Sequence, residues 1–255
     1  MTIGIMQPYF FPYIGYFQLI NAVDKFILYE NLNFQNKGWM SRNRLIEKNK
    51  SVPVFFNAIL NGRSFVKKIS ETELEKNNLW KQKLIKFIYH NYAGSLYFDE
   101  VYSFLVEMIS ADFQKLHEYN SYIISEICKK LGIKTILSVN NSNYLSLEED
   151  ISNLYSDDLE KKENDVLEID KKSYRIIKIC KMENAENYYN AIGGVSLYNK
   201  VVFAKYEINI NFIKTLDYKY TQFGDTFIKD LSIIDVLMHN GFIKSKELLN
   251  LYDLI

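Results

Sequence analysis

IGIMQPYFFPYIGYFQLINAVDKFILY, residues 3–29, contains the pattern of a strand, a turn, a helix and a second strand. Ile3–Met6 is a short apolar run followed at once by a Gln-Pro turn, which predicts a strand that ends in a loop. The apolar residues of Ile14–Ile20 then predict a helix, and the β-branched and aromatic residues of Lys25–Tyr29 predict a second strand. A strand, loop, helix and strand within about thirty residues have the size of a mononucleotide-binding half-unit.

Strand and helix patterns alternate along the rest of the chain. Strands are predicted at Val52–Phe56, Thr135–Val139, Tyr188–Ile192, Val201–Phe203 and Ile208–Ile213, and helices at Tyr174–Met182, Leu231–Asn240 (closed by Gly241) and Ser245–Leu251. Apolar residues at four-residue intervals predict a helical block at about 79–131. We therefore expect a single α/β domain over residues 1–255, with a mainly parallel sheet and a Rossmann-like nucleotide-binding core. The charged stretch at about 147–172 has weak periodicity and is interpreted as an exposed excursion.

Bulk composition argues against several classes of protein. The 255 residues are 48% hydrophobic, which suffices for a sizeable core. Thirty-one basic residues balance thirty-one acidic ones, so the chain lacks the cationic excess of a protein that tracks DNA. We find no export signal and no uncharged apolar run of about eighteen residues, which predicts a cytoplasmic protein without membrane insertion. Cys128 and Cys180 lie in apolar helical patterns, which are typical of buried reduced thiols.

The loop from Gln7 to Gly15 follows the first predicted strand and contains two prolines and a glycine. Ligands of open α/β sheets bind beyond the carboxyl ends of the strands, where a helix N-terminus attracts phosphate. We therefore interpret the loop as the floor of a nucleotide or acyl-phosphate site, with Gln7 as a catalytic polar contact. Pro8, Tyr9 and Gly15 belong to the same predicted binding surface. The alternative is a packed aromatic loop that covers the sheet edge, since no GxGxxG or Walker motif is present.

A cationic cluster, Asn36–Arg44, follows the second predicted strand. Its cations and amides match the needs of phosphate recognition, because arginine offers a planar fork and lysine a point charge. The predicted binding residues are Lys37, Arg42, Asn43 and Arg44. Solvated surface charge is the alternative, although Trp39 argues against it because an exposed tryptophan is disfavoured unless it stacks on a base or a neighbour.

Paired glycines and an acid–histidine pair complete the candidate residues. Gly193 and Gly194 follow a predicted strand, where main-chain amides can bind an anion, although a simple turn needs such glycines equally. Asp235 and His239 stand one helical turn apart and form a candidate catalytic acid/base couple. A pair on the helix surface near its C-terminus is the alternative. The three histidines are too dispersed to indicate a metal site, so we predict no metal.

Four blocks of the sequence closely resemble the WbqC-like protein family. They are Met6–Ile20, Gly38-Trp39 with Arg42-Asn43-Arg44, Gly193-Gly194 through Leu197-Tyr198, and Ser232–Met238. The resemblance implies the site residues Gln7, Pro8, Gly15, Lys37, Arg42, Asn43, Arg44, Gly193, Gly194, Tyr198 and Asp235. Members of this family are typically encoded beside genes for O-antigen, capsule or flagellar glycans, and some carry the name glycine transferase. The acidic stretch from Glu148 to Asp170 is longer than the family pattern.

The resemblance implies the transfer of an amino acid, or a related acyl group, to the amine of a nucleotide-linked amino sugar. Amide formation from a free carboxylate is uphill in water, so we expect ATP or another activated acyl donor, as an acyl adenylate, a thioester or a charged tRNA. We also expect the opening turn and the cationic cluster to converge on one anion pocket. The alternatives are a nucleotidyltransferase acting on a sugar phosphate and a non-catalytic assembly protein of the glycan pathway. The high aromatic content is compatible with a homo-oligomer.

Overall fold

Helices and strands alternate along the parts of the chain that the computed structural model describes, residues 1–48, 52–62, 67–155, 169–224 and 226–255. The strands are β1 (Thr2–Met6), β2 (Lys25–Leu28), β3 (Arg42–Ile46), β4 (Pro53–Asn57), β5 (Ile136–Ser138), β6 (Asn187–Ala191), β7 (Asn209–Thr215) and β8 (Tyr252–Leu254). The helices are α1 (Ile14–Asn21), α2 (Leu79–Tyr92), α3 (Phe98–Ser110), α4 (Leu116–Leu131), α5 (Leu145–Leu154), α6 (Lys171–Met182), α7 (Lys200–Ala204) and α8 (Ile233–Glu247).

Six of these strands form one sheet in the order β5-β2-β1-β6-β7-β8. Neighbours are parallel from β5 to β7, and β8 pairs antiparallel with β7. β1 is central: its Ile3 lies opposite Lys25 of β2 on one side and opposite Tyr188 of β6 on the other. The prediction of an α/β fold with a mainly parallel sheet is confirmed, whereas the Rossmann-like nucleotide-binding core stays a prediction.

The strand order reverses beside β1. The chain moves outward through β2 and β5 on one side of it, and through β6 and β7 on the other. At such a reversal the connections after two neighbouring parallel strands leave in opposite directions and open a crevice at the carboxyl ends of the strands. Here those connections begin at Gln7 after β1 and at Ile192 after β6. The sheet therefore brings two of the predicted site segments to the same edge.

Helices cover both faces of the sheet and bury two hydrophobic cores. On one face, α1, α2, α3, α4 and α8 contribute to a core in which Phe17 and Leu237 are fully buried. On the other face, α5, α6 and α7 contribute to a second core, which includes Ile27 of β2 and Ile177 of α6. Burial of each such side chain contributes about 1.5–3 kcal/mol to the free energy of folding. The two cores therefore stabilise the sheet and the position of its carboxyl edge. None of the described helices is long and apolar enough to cross a bilayer.

Two segments differ from the sequence pattern. The end of the cationic cluster, where no strand is predicted, lies in β3, which pairs antiparallel with β4 and alternates Asn43 on its buried face with Arg42 and Arg44 on the other. Val201–Phe203, predicted as a strand, lies in α7. Asn199 caps this helix by accepting a hydrogen bond from the Val201 amide, and such a cap favours a helix over an extended conformation.

The charged excursion is helical in its first part. α5 buries Leu147 and Ile151, which lie four residues apart on one face of the helix. Residues 156–168 of the excursion lie outside the described residues. Gly241, predicted to close a helix, has a φ of 63° and interrupts α8, after which helical turns continue to Asn250. Strand β8 follows, although the sequence pattern predicts none there.

Candidate functional site

One buried amide ties the opening loop, residues 7–13, to the segment that precedes β3. Asn120 of α4 is fully buried and donates from Nδ2 to the carbonyl oxygens of Pro8 and Met40, both at 2.8 Å. A buried carbonyl left without a donor costs ~1–3 kcal/mol. Asn120 therefore holds together the two segments that are predicted to share a pocket.

Asn43 and Ser232 fix the other half of the opening loop. Asn43 donates from Nδ2 to the carbonyl oxygens of Phe10 at 3.1 Å and Phe11 at 2.7 Å. The Ser232 hydroxyl also donates to the Phe11 carbonyl, at 2.8 Å. Phe11 has a left-handed φ of 44°, a conformation that non-glycine residues rarely hold without such restraint. The loop is thus fixed in place, and both Nδ2 hydrogens of Asn43, a predicted binding residue, already have acceptors.

A cleft of about 500 Å³ lies beside the opening loop at the carboxyl edge of the sheet. We call it the carboxyl-edge cleft. Its described lining residues are Tyr9, Pro12, Tyr13, Trp39, Asn43, Arg44, Ile192, Lys214, Thr215, Leu216, Asp217, Tyr218, Lys229 and Asp230. The volume lies within the usual range of small-molecule sites, about 300–1,000 Å³. The opening loop and the cationic cluster do converge on one cavity, as expected.

Charges of both signs line the carboxyl-edge cleft. Nη2 of Arg44 donates to the carbonyl oxygen of Asp230 at 3.0 Å, so the guanidinium is fixed at the wall. Lys229 forms an ion pair with Asp217, and Lys214 adds a further cation. Arginine and lysine suit phosphate oxygens, and a carboxylate suits an ammonium group. A ligand that carries both charges therefore finds partners here.

Aromatic rings form much of the wall. Trp39 keeps 40% of its surface exposed, and the Arg44 guanidinium lies 5.6 Å from its ring centroid. Burial, followed by the negative charge of Asp230, raises the pKa of Tyr13 to about 12. Burial also raises the pKa of Tyr9. Both phenols are therefore protonated at neutral pH and can donate a hydrogen bond to a ligand.

The opening loop reaches the cleft through Tyr9, Pro12 and Tyr13, and Gly15 lies behind that wall. A Cβ on Gly15 would lie 2.4 Å from Cε2 of Tyr13 and 3.0 Å from Oγ1 of Thr215, and both of those residues line the cleft. A side chain at position 15 would therefore have to displace part of this wall. The side chain of Gln7 is not among the described lining residues, and its carbonyl accepts a hydrogen bond from the Tyr16 hydroxyl at 2.9 Å.

The turn after β6 contributes Ile192 to the cleft, but neither of the paired glycines is a described lining residue. Gly193 is open on the side where a Cβ would stand. Gly194 is enclosed, since a Cβ there would lie 2.9 Å from a neighbouring asparagine amide nitrogen. Tyr198, predicted to bind substrate, does not line the cleft in the described structure. It packs against the second core, with its ring centroid 6.1 Å from that of Tyr188.

Two of the predicted phosphate ligands lie outside the carboxyl-edge cleft. Lys37 is exposed in a turn and has a left-handed φ of 60°. The Arg42 guanidinium lies 4.4 Å from the ring centroid of Phe55. Its neighbour in β3, Arg44, is the cluster's arginine that lines the cleft. Both arginines were predicted to bind phosphate, but in the described structure Arg44 lines the cleft and Arg42 does not.

Asp235 and His239 come together, but away from the carboxyl-edge cleft. Asp235 is fully buried and accepts hydrogen bonds from the hydroxyls of Tyr92 (2.8 Å) and Tyr220 (2.6 Å) and from Nε2 of Gln222 (2.9 Å). His239 Nε2 lies 3.9 Å from Asp235 Oδ1 and lines a second cavity of about 580 Å³. Burial raises the pKa of Asp235 and lowers that of His239. In this arrangement Asp235 fixes Tyr220 and Gln222, which line the second cavity.

One wall of the cleft, formed by residues 214–218, 229 and 230, was not among the predicted site residues. Lys214 lies near the end of β7, and Asp217, Tyr218, Lys229 and Asp230 follow it. The carboxyl end of β7 lies at the same edge as those of β1 and β6. The available signal was a dense mixture of charged and aromatic residues directly after a predicted strand.

Neither a metal cluster nor a reactive thiol stands out in the described residues. They contain no group of three or more His, Cys, Asp or Glu side chains that could hold a metal ion. Cys128 and Cys180 are free and buried, and burial raises the pKa of each thiol to about 12. A thiol with such a pKa is protonated and inert at neutral pH.

Fold and cleft together define an α/β protein with a cleft of mixed charge at the carboxyl edge of its sheet. The chain belongs to the WbqC-like protein family, whose sequence profile matches residues 7–247. It is similar to Uncharacterized protein Rv1507c of Mycobacterium tuberculosis (strain ATCC 25618 / H37Rv), with 25% identity over 241 residues that cover 94% of each chain. No solved structure matches the chain.

Proposed function

We propose that this protein is an acyltransferase or aminoacyltransferase that modifies the amine of a nucleotide-linked amino sugar in the synthesis of a bacterial surface glycan. The observation that carries the proposal is the convergence of the opening loop, Arg44 and residues 214–218, 229 and 230 on one cleft. Some members of the WbqC-like family carry the name glycine transferase, which makes glycine the first acyl group to test.

The charges of the carboxyl-edge cleft suit both ends of such a substrate. A nucleotide-linked amino sugar carries phosphate oxygens, for which Arg44 and Lys214 are suitable partners. It also carries an amine, for which the cleft offers carboxylates. Trp39 and Tyr13 offer flat apolar surfaces against which a sugar ring or a base can stack.

The reaction forms a C–N bond between the amine nitrogen and the acyl carbon. It breaks the bond between that carbon and the oxygen or sulfur of its carrier, and releases one proton from the amine. Since a free carboxylate does not react in this way in water, the acyl group arrives activated, either by ATP as an adenylate or on a thioester or tRNA carrier. The fixed loop lowers the cost of orienting the two reactants.

The direct test is incubation of the protein with a nucleotide-linked amino sugar and three donors in turn: glycine with ATP, a glycyl thioester, and glycyl-tRNA. Mass spectrometry should detect glycylated sugar nucleotide with one of them, and Arg44→Ala should reduce its yield strongly. Arg42→Ala is the matched control, because Arg42 does not line the cleft in the described structure. Pyrophosphate release with a new nucleotide sugar would support a nucleotidyltransferase instead. No product with any donor would contradict the transferase and favour an assembly role.

A further inference from the structure

Asp230 holds an unusual backbone conformation at the rim of the carboxyl-edge cleft. Its φ is 56°, in the left-handed region that non-glycine residues rarely occupy. Arg44 holds this part of the chain at two points. Its Nη2 donates to the Asp230 carbonyl at 3.0 Å, and its carbonyl accepts from the amide of Ser232, two residues further on, also at 3.0 Å. Strained residues held by their surroundings cluster at ligand sites.

The carboxylate of Asp230 is open to a ligand. Asp217, the other acid of the cleft, forms an ion pair with Lys229. Among the described residues, no hydrogen bond or ion pair reaches the carboxylate of Asp230, because Arg44 uses its carbonyl instead. The cleft therefore has one carboxylate that is neutralised within the protein and one that is not.

Aromatic rings accompany this carboxylate. Tyr13 and Tyr218 both line the cleft with Asp230. Burial is the main cause that raises the pKa of each phenol, and the negative charge of Asp230 is the next. All three residues line the same cleft, so one ligand group can meet the carboxylate and the rings together. A carboxylate beside electron-rich rings is a favourable environment for an organic cation.

We infer that Asp230 is the binding group for a primary ammonium on the ligand, with Tyr13 and Tyr218 beside it. Arg44 and Lys214 then hold the phosphate end of the same ligand. The inference rests on the proposed function of the cleft and adds to it the residue that selects an amine-bearing sugar over an acylated one. An uncharged amide at the same position gains no ion pair from Asp230, so a product that is already acylated binds more weakly.

The test uses two sugar phosphates that differ only in the charge on nitrogen, glucosamine-1-phosphate and N-acetylglucosamine-1-phosphate. Binding is measured by ligand-observed NMR or calorimetry. The wild-type protein should prefer the amine by about tenfold or more, the usual effect of a hydrogen-bonded ion pair. Asp230→Asn should abolish the preference and leave the affinity for the acetylated compound unchanged. Asparagine tolerates the left-handed conformation, and Asp230→Gly is a second variant that adopts it without strain.

Glu207→Gln is the matched control. Glu207 is also acidic and also has a left-handed φ, of 59°, but its side chain is 91% exposed and pairs with Lys181 at 3.7 Å. It should keep the wild-type preference. Equal binding of the two compounds to the wild type, or a preference that survives in both Asp230 variants, would overturn the inference while leaving a phosphate site in place. Failure of both compounds to bind the wild type would overturn the proposed phosphate site, and the inference with it.

Discussion

Asn120 is the residue whose loss should separate the opening loop from the cationic segment. Its Nδ2 donates to the carbonyls of Pro8 and Met40, both at 2.8 Å, and the side chain is fully buried. Asn120→Ala removes both bonds and leaves two buried carbonyl oxygens without this donor. No residue of the ligand cleft itself is changed, because Asn120 is not among the described lining residues.

The size of the effect follows from these contacts. Each orphaned carbonyl costs ~1–3 kcal/mol. Part of this cost is offset, because Oδ1 of Asn120 is itself buried without a hydrogen-bond partner and is removed with the side chain. We expect a net loss of ~2–4 kcal/mol in the free energy of unfolding. For a chain of this size that corresponds to a fall of ~5–15 °C in Tm.

Urea denaturation followed by circular dichroism, with a thermal scan, measures the loss. The control is Asn240→Ala, since Asn240 is also buried but donates at 2.8 Å to Val236 within its own helix. That variant should lose only ~1 kcal/mol. A loss for Asn120→Ala no larger than that of the control would refute the claim that this amide holds the two segments together.

Further substitutions test the cleft wall and the buried couple. Gly15→Ala should displace the Tyr13 ring, because the new Cβ would lie 2.4 Å from its Cε2, and should weaken ligand binding in a titration while the protein stays folded. Gly241→Ala should destabilise the fold by ~1–3 kcal/mol, measured by urea denaturation, because φ is 63° and Tyr97 Cδ1 lies 2.6 Å from the Cβ position. His239→Gln should flatten the loss of stability on acidification, measured as the urea midpoint from about pH 7.5 to about pH 5.

The direction for His239 follows from its burial. Burial lowers its pKa below 6.5 in the folded state, so the unfolded chain takes up the proton first. The stability it contributes is complete above pH 6.5 and is lost as the pH falls through the lower folded-state pKa. Burial also lowers the pKa of His117, which therefore contributes a loss of stability on acidification too. This contribution is the same in the wild type and in His239→Gln. The exposed His90→Gln is the control, and an identical pH slope for it and for His239→Gln would contradict the assignment.

The first unit of the fold was predictable because its signals are local. A few consecutive residues suffice to predict the apolar strand Ile3–Met6, the Gln-Pro turn and the second strand. The structure has β1, α1 and β2 in these places. β3 was missed because its first buried residue is Asn43, a polar side chain that donates hydrogen bonds to the opening loop. A pattern of polar residues indicates a loop unless the buried acceptors are known.

The rest of the cleft depends on contacts that are distant in sequence. Lys214 and Asp230 line the cleft because β7 lies beside β6 in the sheet. The sequence of neither strand predicts that the two are neighbours. The helical spacing of Asp235 and His239 correctly predicted that they meet. It could not reveal that three hydrogen bonds to Asp235 would come from residues far away along the chain or in a loop.

The most direct test of the shared cleft is the fluorescence of Trp39. The chain has two tryptophans, and replacing the buried Trp80 by phenylalanine leaves Trp39, in the cleft wall, as the reporter. Titration with ADP, UDP, GDP, CDP and dTDP should give a saturable change with at least one of them. Arg44→Ala should weaken that affinity by about tenfold or more, and Arg42→Ala should leave it unchanged. No saturable change with any nucleotide, or one that Arg44→Ala does not weaken, would contradict the account.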